Sequence, residues 1–332
     1  MQISPELAAA FNLDPSLEVY DNSTLSTIDS CIRKAYWKLM FQLPVTSHQG
    51  IQERVGVAAH YGTAIHSAMD KMYSPILYKQ WSLEKRKIAA FKAFSTKYAT
   101  LIPDHDMVED PYSHPCGIRL LDDYFAHYEE EDKFYIPIET EWTTIVLLTD
   151  LSPPCYFISR GDGLLYRPAM EDYLVREFKT TKSSLQNKID ELVLSRQCEG
   201  YVWGISQPEL LLPKDKPVTG ILADVLAVRT KEKDPTKLFK REIIHKSDIQ
   251  LEVWRRDTIA KIERWREIRV KAARNTQPLL QYTMFDRNAN ECMRYGKCSY
   301  YNLCAYGIDS INLDTLQPND WNPLHSEKME IP

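Results

Sequence analysis

The stretch Asp172-Tyr-Leu-Val-Arg-Glu-Phe-Lys-Thr constrains this chain more than any other, because it sets charged residues inside a short apolar run that suits a buried strand. Side chains alternate across a strand, so Glu177 and Lys179 share one face while Phe178 points to the other. Fourteen residues separate Asp162 from Glu177, enough for the rest of one strand, a turn at Arg167-Pro168-Ala169 and the return strand. Such a hairpin places Asp162 beside Glu177. Two carboxylates and a lysine at adjacent strand ends can hold a divalent cation and position a water near it, and oxygen ligands suit magnesium or manganese. Taken alone, the same pattern describes an ordinary hairpin with solvent-exposed charges, so the rest of the chain has to decide.

A chain of 332 residues can form one large domain or a core with substantial insertions. No apolar run approaches the ~18 residues of a membrane span. The first residues, Met1 to Tyr20, lack a basic stretch and carry Glu6, Asp14 and Glu18, which argues against a secretory signal and for a cytosolic protein. The net charge of -5 does not mark a nucleic-acid binder, but its distribution is uneven. Pro103 to Glu141 holds twelve acidic and two basic residues, whereas Arg229 to Arg274 holds fifteen basic and eight acidic ones. The basic segment is either a solvated helix face or a local phosphate-binding surface.

Along the chain, Ser23-Thr-Leu-Ser begins a helix with Leu25, Ile28, Cys31 or Ile32, Ala35 and Leu39 at helical spacing. The pattern places Cys31 on that helix, followed by Arg33-Lys34. A second helix over Tyr61 to Tyr73 puts His66 and Asp70 on one face, and Trp81 to Tyr98 and Gly117 to Glu131 read as helices too. Strands are predicted at Phe134 to Leu148, Tyr156 to Leu165, Tyr173 to Thr180 and Val218 to Arg229. A helix near Ile189 to Ile205 carries Gln197 and Tyr201 four residues apart. Ile249 to Arg274 is a long amphipathic helix with Trp254 and Trp265 among basic residues. Helices, three strands, a helix and a strand make an α/β sandwich with a mixed sheet.

Seven cysteines occur, and three of them, Cys292, Cys298 and Cys304, fall within thirteen residues. In a cytosolic chain such clustering points to metal rather than disulfides. Three thiolates leave a site one ligand short, and Cys31 is the natural fourth. Zinc sites usually show paired C-x2-4-C knuckles, which are absent here, so the wide spacing favours a 4Fe-4S cluster with zinc as the alternative. Ligands near both ends would staple the termini around the core. Cys116, Cys155 and Cys198 lack clustered partners and read as small apolar residues.

At this point the chain resembles the PD-(D/E)XK nucleases of the RecB type. It is most similar to the iron-sulfur exonucleases related to the AddB nuclease domain and the CRISPR-associated RecB-like exonucleases, in particular stand-alone phage and bacterial members. The resemblance spans roughly Leu25 to Cys304 and keeps the family's order. Cys31-Ile-Arg-Lys matches a Cys-Pro-Arg-Lys start apart from Ile32, and Gly62-Thr-Ala-Ile-His66 matches a Gly-x-x-x-His helix. Ser159-Arg-Gly-Asp162 matches the Gly-x-x-Asp strand, Glu177-Phe-Lys179 the acid-x-Lys strand, and Gln197-Cys-Glu-Gly-Tyr201 the Gln-x-x-x-Tyr helix. The family's terminal cysteines often run C-x2-C-x5-C, whereas both gaps here are five residues.

The resemblance implies a restriction-endonuclease-like core, a mixed central sheet flanked by helices, with a helical N-terminal insertion and a cysteine staple. It sets an N-terminal arm over 1–22, a nuclease domain over 23–304 and a tail over 305–332. Within the domain, about 23–132 is helical, about 133–275 is the catalytic core and 276–304 carries the cysteines. His66, Asp162 and Glu177, with the Phe178 carbonyl, would bind Mg2+ or Mn2+. Lys179 would orient or help deprotonate the attacking water, and Gln197 and Tyr201 would contact the DNA strand or support Lys179. Glu141 on the first strand is a candidate supporting residue. The implied function is a metal-dependent exonuclease acting on single-stranded DNA or DNA ends in a bacterial or phage-infected cytosol, with a structural 4Fe-4S cluster on Cys31, Cys292, Cys298 and Cys304. The alternatives are an endonuclease of the same fold and a non-cutting DNA-binding subunit of a recombination or replication complex. A helicase, recombination or replication partner and a homo-oligomer are both compatible with the sequence.

Overall fold

A computed structural model describes residues 18–40, 51–102, 111–149, 153–207, 216–274, 282–294 and 297–307. Most of the expected N-terminal arm, nearly all of the tail and part of the acidic segment lie outside the described residues. The chain divides into two compact units, one of Met1–Gln52, Ile145–Ile158 and Glu252–Pro332, the other of Glu53–Thr144 and Ser159–Leu251.

In chain order the elements are β1 (Glu18–Asp21), α1 (Asn22–Ser30), α2 (Ile32–Ala35), α3 (Ile51–Tyr73), α4 (Pro75–Gln80), α5 (Leu83–Leu101) and α6 (His114–His127). Then come β2 (Ile136–Thr149), β3 (Cys155–Arg167), β4 (Asp172–Thr181), α7 (Leu185–Val193), α8 (Arg196–Ile205) and β5 (Val218–Ala227). The last are α9 (Pro235–Leu238), β6 (Phe239–His245), α10 (Asp248–Ala273) and α11 (Tyr301–Tyr306). None of the described helices is long and apolar enough to cross a membrane.

The second unit is built on β4. It pairs antiparallel with β3, from Gly163↔Arg176 to Arg167↔Asp172. On its other edge it runs parallel to β5 through Thr181↔Ala227, and β5 pairs antiparallel with β6. The result is the mixed sheet flanked by helices that the sequence predicts. β4 is buried on both faces from Asp172 to Phe178, which is why it reads as a near-continuous apolar run. The helices α3, α5 and α6 pack over Phe178, Leu226 and Phe239 through Tyr61, Ile65, Phe94, Leu121 and Phe125. At Gly117 the backbone of α6 comes so close to α5 that an added Cβ would lie 2.1 Å from the Phe94 ring.

Three sequence expectations need correction here. The helix expected over 189–205 is two helices, because Ser195 leaves the helical conformation and its hydroxyl accepts the Cys198 N–H at 3.4 Å, starting α8 anew. Two strands, β1 and β6, were not expected; β6 interrupts its apolar residues with Lys240-Arg241-Glu242, and a four-residue β1 carries too little periodicity to read. Finally, Cys31 breaks the first helix rather than riding in it: its backbone is extended (φ -165°, ψ 113°), ending α1 and starting α2.

The back of β4 carries a buried charge network. Asp224, wholly buried, accepts Arg176 Nε at 2.9 Å and Arg241 Nε at 2.6 Å. Tyr124 Oη accepts from both guanidinium groups, and Arg176 lies over the Tyr73 ring at 3.6 Å. Asp132 faces the same pair, 3.6 Å from Arg176 and 2.9 Å from Arg241, but Asp224 is the carboxylate wholly buried between them. Asp224→Ala should therefore destabilise the protein by about 3–5 kcal/mol, the cost of stranding buried charge; urea unfolding followed by circular dichroism reads it, and an unshifted midpoint would show that the arginines find other partners.

In the first unit β1 runs parallel to the start of β3, from Glu18↔Cys155 to Asp21↔Ile158. Glu18 accepts Arg266 Nε at 2.7 Å and pairs with Arg269. Burial opposes its charged form, yet the hydrogen bonds from Arg269 and Arg266 hold its pKa down to about 2, against an ordinary 4.5. A depressed carboxylate contributes stability that is fully present above the unfolded value and fades as pH falls toward the folded one. Glu18→Gln should lower the melting temperature at pH 6 and 7, with the difference from the parent shrinking between pH 5 and pH 2.

Candidate metal and phosphodiester site

Continuing the β3–β4 register by one step beyond Gly163↔Arg176 sets Asp162 opposite Glu177. There the regular pairing ends, and the Asp162 carboxylate takes over the strand's role: Oδ2 accepts the Phe178 N–H at 2.8 Å. Its other oxygen, Oδ1, lies 2.9 Å from His66 Nδ1. α3 can deliver His66 because Gly62, one turn earlier, lets the helix approach the end of β4. An added Cβ at Gly62 would sit 3.3 Å from Thr180 Oγ1.

Glu177 and Lys179 share a face, as the alternation predicts, with Oε1 and Nζ 2.5 Å apart. Glu177 is 1% exposed. Burial, and then the charge of Asp162, push its carboxyl up to about 7. For Asp162 burial works the same way, but the His66 charge and hydrogen bond, Lys179 and the Phe178 N–H hold it well below the ordinary carboxylate range. The His66 imidazole is raised: burial disfavours its charge, and Asp162 more than offsets that. Lys179 is raised as well, since Glu177 and Asp162 outweigh its burial. The half-buried Asp162 and the buried Glu177 thus share one cationic environment, and a further cation between them would relieve their repulsion.

On α8, Gln197 Nε2 donates to Tyr201 Oη at 2.5 Å across one helical turn. Both residues are in the same unit as Asp162, Glu177, Lys179 and His66. Tyr201 is raised well above its ordinary value by burial and then by the charges of Glu177 and Asp162. Phe178 contributes its N–H to Asp162, while its side chain packs on the back of β4 beneath Arg176, 4.7 Å from the ring. Asp70 pairs with Lys71 at 3.0 Å. Glu141, on β2, is half-buried and has a positive φ of 50°.

Two residues beside the site were missed. Cys198, read as a small apolar residue, is buried near Glu177 and Lys179, and burial and then Glu177 push its thiol up to about 12. Trp142 touches both β3 and Tyr201, a contact no local pattern announces.

In the first unit Cys31 meets the C-terminal segment. Its Sγ accepts the Asn288 N–H at 3.4 Å, and Asn288 Nδ2 donates to Ser30 O at 2.9 Å. Arg33 donates to Phe285 O through Nε at 2.8 Å and to Asp286 O through its backbone N–H at 3.2 Å. Phe285, fully buried, stacks on Tyr36 with centroids 4.2 Å apart. Beyond it, the Cys298 N–H donates to Cys292 O at 2.8 Å, and Cys304 lies in α11. The Cys292 and Cys304 thiols are raised, first by burial and also by the neighbouring cysteines, Cys31 included.

Neither set is closed to coordinating geometry: among the described residues no three His, Cys, Asp or Glu side chains are arranged to hold a metal ion. The donor chemistry of the first set nevertheless fits: two carboxylates and an imidazole suit a hard or borderline divalent cation.

Residues 22–305 match the PD-(D/E)XK nuclease superfamily. The match covers most of the chain, so the protein belongs to that superfamily. Among solved structures it is similar to a protein from Eubacterium rectale described as a "Putative exonuclease", with 12% identity, 90% of this chain and 94% of that chain covered, and a TM-score of 0.46. It is also similar to SSO0001, with 12% identity, 64% and 88% coverage, and a TM-score of 0.27. No curated protein matches it. Both structural likenesses are remote, and the family assignment rests on the sequence match.

Proposed function

We propose that this chain is a metal-dependent deoxyribonuclease that hydrolyses phosphodiester bonds of single-stranded DNA or DNA ends. One observation carries the reading: Asp162, Glu177, Lys179 and His66, the residues that a phosphodiester-hydrolysing site needs, meet at the open end of the β3–β4 hairpin. Asp162, Glu177 and His66, with the Phe178 carbonyl, would hold Mg2+ or Mn2+, which supplies Lewis-acid activation of water and neutralises phosphate charge. The ammonium of Lys179, fixed by Glu177, orients the attacking water and faces the charge that develops on phosphorus. The water oxygen bonds to phosphorus as the bond to the leaving sugar oxygen breaks. Asp162 is itself fixed by the Phe178 N–H and His66, so its carboxylate is oriented before any ligand arrives. Gln197 and Tyr201 serve as strand contacts or as support for Lys179.

The preference for exonuclease action follows from the RecB-type resemblance in the ordered motifs. That resemblance also motivates a structural 4Fe-4S cluster on Cys31, Cys292, Cys298 and Cys304, with zinc as the alternative, and one nuclease domain bounded near 23 and 304. The hydrogen bonds joining the Cys31 turn to Phe285, Asp286 and Asn288 support the cluster reading, because they hold the remote cysteine against the segment that carries the other three.

Anaerobically purified protein incubated with 5'- and 3'-labelled single- and double-stranded DNA, with Mg2+, Mn2+ or EDTA, tests the activity. Short products are expected with metal and none with EDTA. Lys179→Ala and Glu177→Ala should each reduce cleavage by about 10²-fold or more without loss of fold. Cleavage confined to internal sites of circular DNA would point to endonuclease action, and no cleavage of any substrate by the parent would favour a DNA-binding subunit. A visible charge-transfer band and stoichiometric iron would support the cluster; Cys298→Ala should lose that band together with thermal stability. An equally stable Cys298→Ala would remove the staple role.

A further inference from the structure

Strand β2 contains a conformational oddity that nothing in the proposed reaction uses. Glu141 adopts φ 50° in the middle of the strand, a left-handed conformation that non-glycine residues seldom take. One residue later Trp142 is buried.

Trp142 is 6% exposed, and its ring meets β3 on both sides of Asp162. The indole Nε1–H donates to Gly163 O at 3.0 Å. On the other side, a Cβ added to Gly161 would fall 2.4 Å from the ring, so only glycine permits this approach. The two glycines bracket the aspartate. The same indole packs edge-on against Tyr201, with centroids 6.0 Å and planes 74° apart. A single rigid side chain therefore contacts the backbone that carries Asp162 and the tyrosine of the Gln197–Tyr201 pair.

We propose that Trp142 is a positioning residue for the metal site, an inference that rests on the deoxyribonuclease reading above. By fixing the Gly163 carbonyl and occupying the space beside Gly161, it keeps the β3 backbone from rotating about Asp162. Oδ1 and Oδ2 then stay aimed at His66 and the Phe178 N–H.

The test uses the full-length parent, Trp142→Phe, Gly161→Ala and the double variant, with Glu177→Ala as control. Mn2+ binding is measured without DNA, by the loss of the free-ion electron paramagnetic resonance signal, well below each melting temperature. A merely structural role lowers the melting temperature but leaves the affinity of the folded protein unchanged. The positioning role predicts Mn2+ affinity weakened about 10–100-fold in each single variant, a matching rise in the Mn2+ needed for half-maximal cleavage, and partial recovery in the double variant, where the smaller ring leaves room for the added methyl. Trp142→Phe and Gly161→Ala proteins that bind Mn2+ as tightly as the parent would overturn the proposal. Should Trp142→Phe not fold, Gly161→Ala with and without a Trp142→Leu change decides it from the strand side, and failure of the second change to restore affinity counts against the clamp. A parent that neither binds Mn2+ nor cuts DNA overturns the nuclease reading and this inference with it, an outcome distinct from a parent that does both while its Trp142 variants are unaffected.

Discussion

The hydrogen bonds of one half-buried carboxylate organise the proposed chemistry. Asp162 stands where the β3–β4 pairing ends, and with no further backbone partner across from it, its side chain accepts the Phe178 N–H and meets His66. A buried carboxylate without such partners would cost several kcal/mol or take up a proton. With them it remains charged and directed. Its charge then acts on Glu177, whose pKa is raised, and both carboxylates depend on Lys179 and His66 for compensation. Every other feature of the site adjusts to that arrangement.

β4 separates two charge networks of different character. On the front, Glu177 and Lys179 share a face beside Asp162, whose charge keeps the Glu177 carboxyl raised. On the back, Arg176 and Arg241 share Asp224, with Tyr124 accepting from both guanidinium groups. The back network is satisfied by hydrogen bonds and packing over aromatic rings, which is how buried charge becomes part of a core. The front network keeps a surplus of acceptors at the open end of the hairpin, where a ligand can enter. The alternation of a single strand distributes Arg176, Glu177, Phe178 and Lys179 between these two environments.

The cysteine segment reaches the Cys31 turn through backbone and side-chain contacts. Phe285 is buried against Tyr36, and Arg33 and Asn288 close the hydrogen bonds on either side. Cys31 gains its accessibility to that segment from the break between α1 and α2. Its backbone N–H still closes α1 on Thr27 O at 3.2 Å, while its thiol accepts from Asn288.

Local pattern was enough for the hairpin, the positions of Asp162, Glu177 and Lys179, the helical pairing of Gln197 with Tyr201 and the mixed sheet, because alternation and one-turn spacing are short-range properties written directly in residue order. The pairing of β6, with its three charged residues, was not legible, since those side chains find partners such as Asp224 that lie far away in sequence. Trp142 was equally hidden: its contacts are with two glycines some twenty residues away, and no period links them. The family match and the ordered motifs identify what kind of chemistry the chain carries. Tertiary structure alone decided which carboxylate is held by backbone, which is left to be compensated, and which neighbouring ring keeps them aligned, because desolvation and hydrogen-bond geometry exist only once distant segments have been brought together.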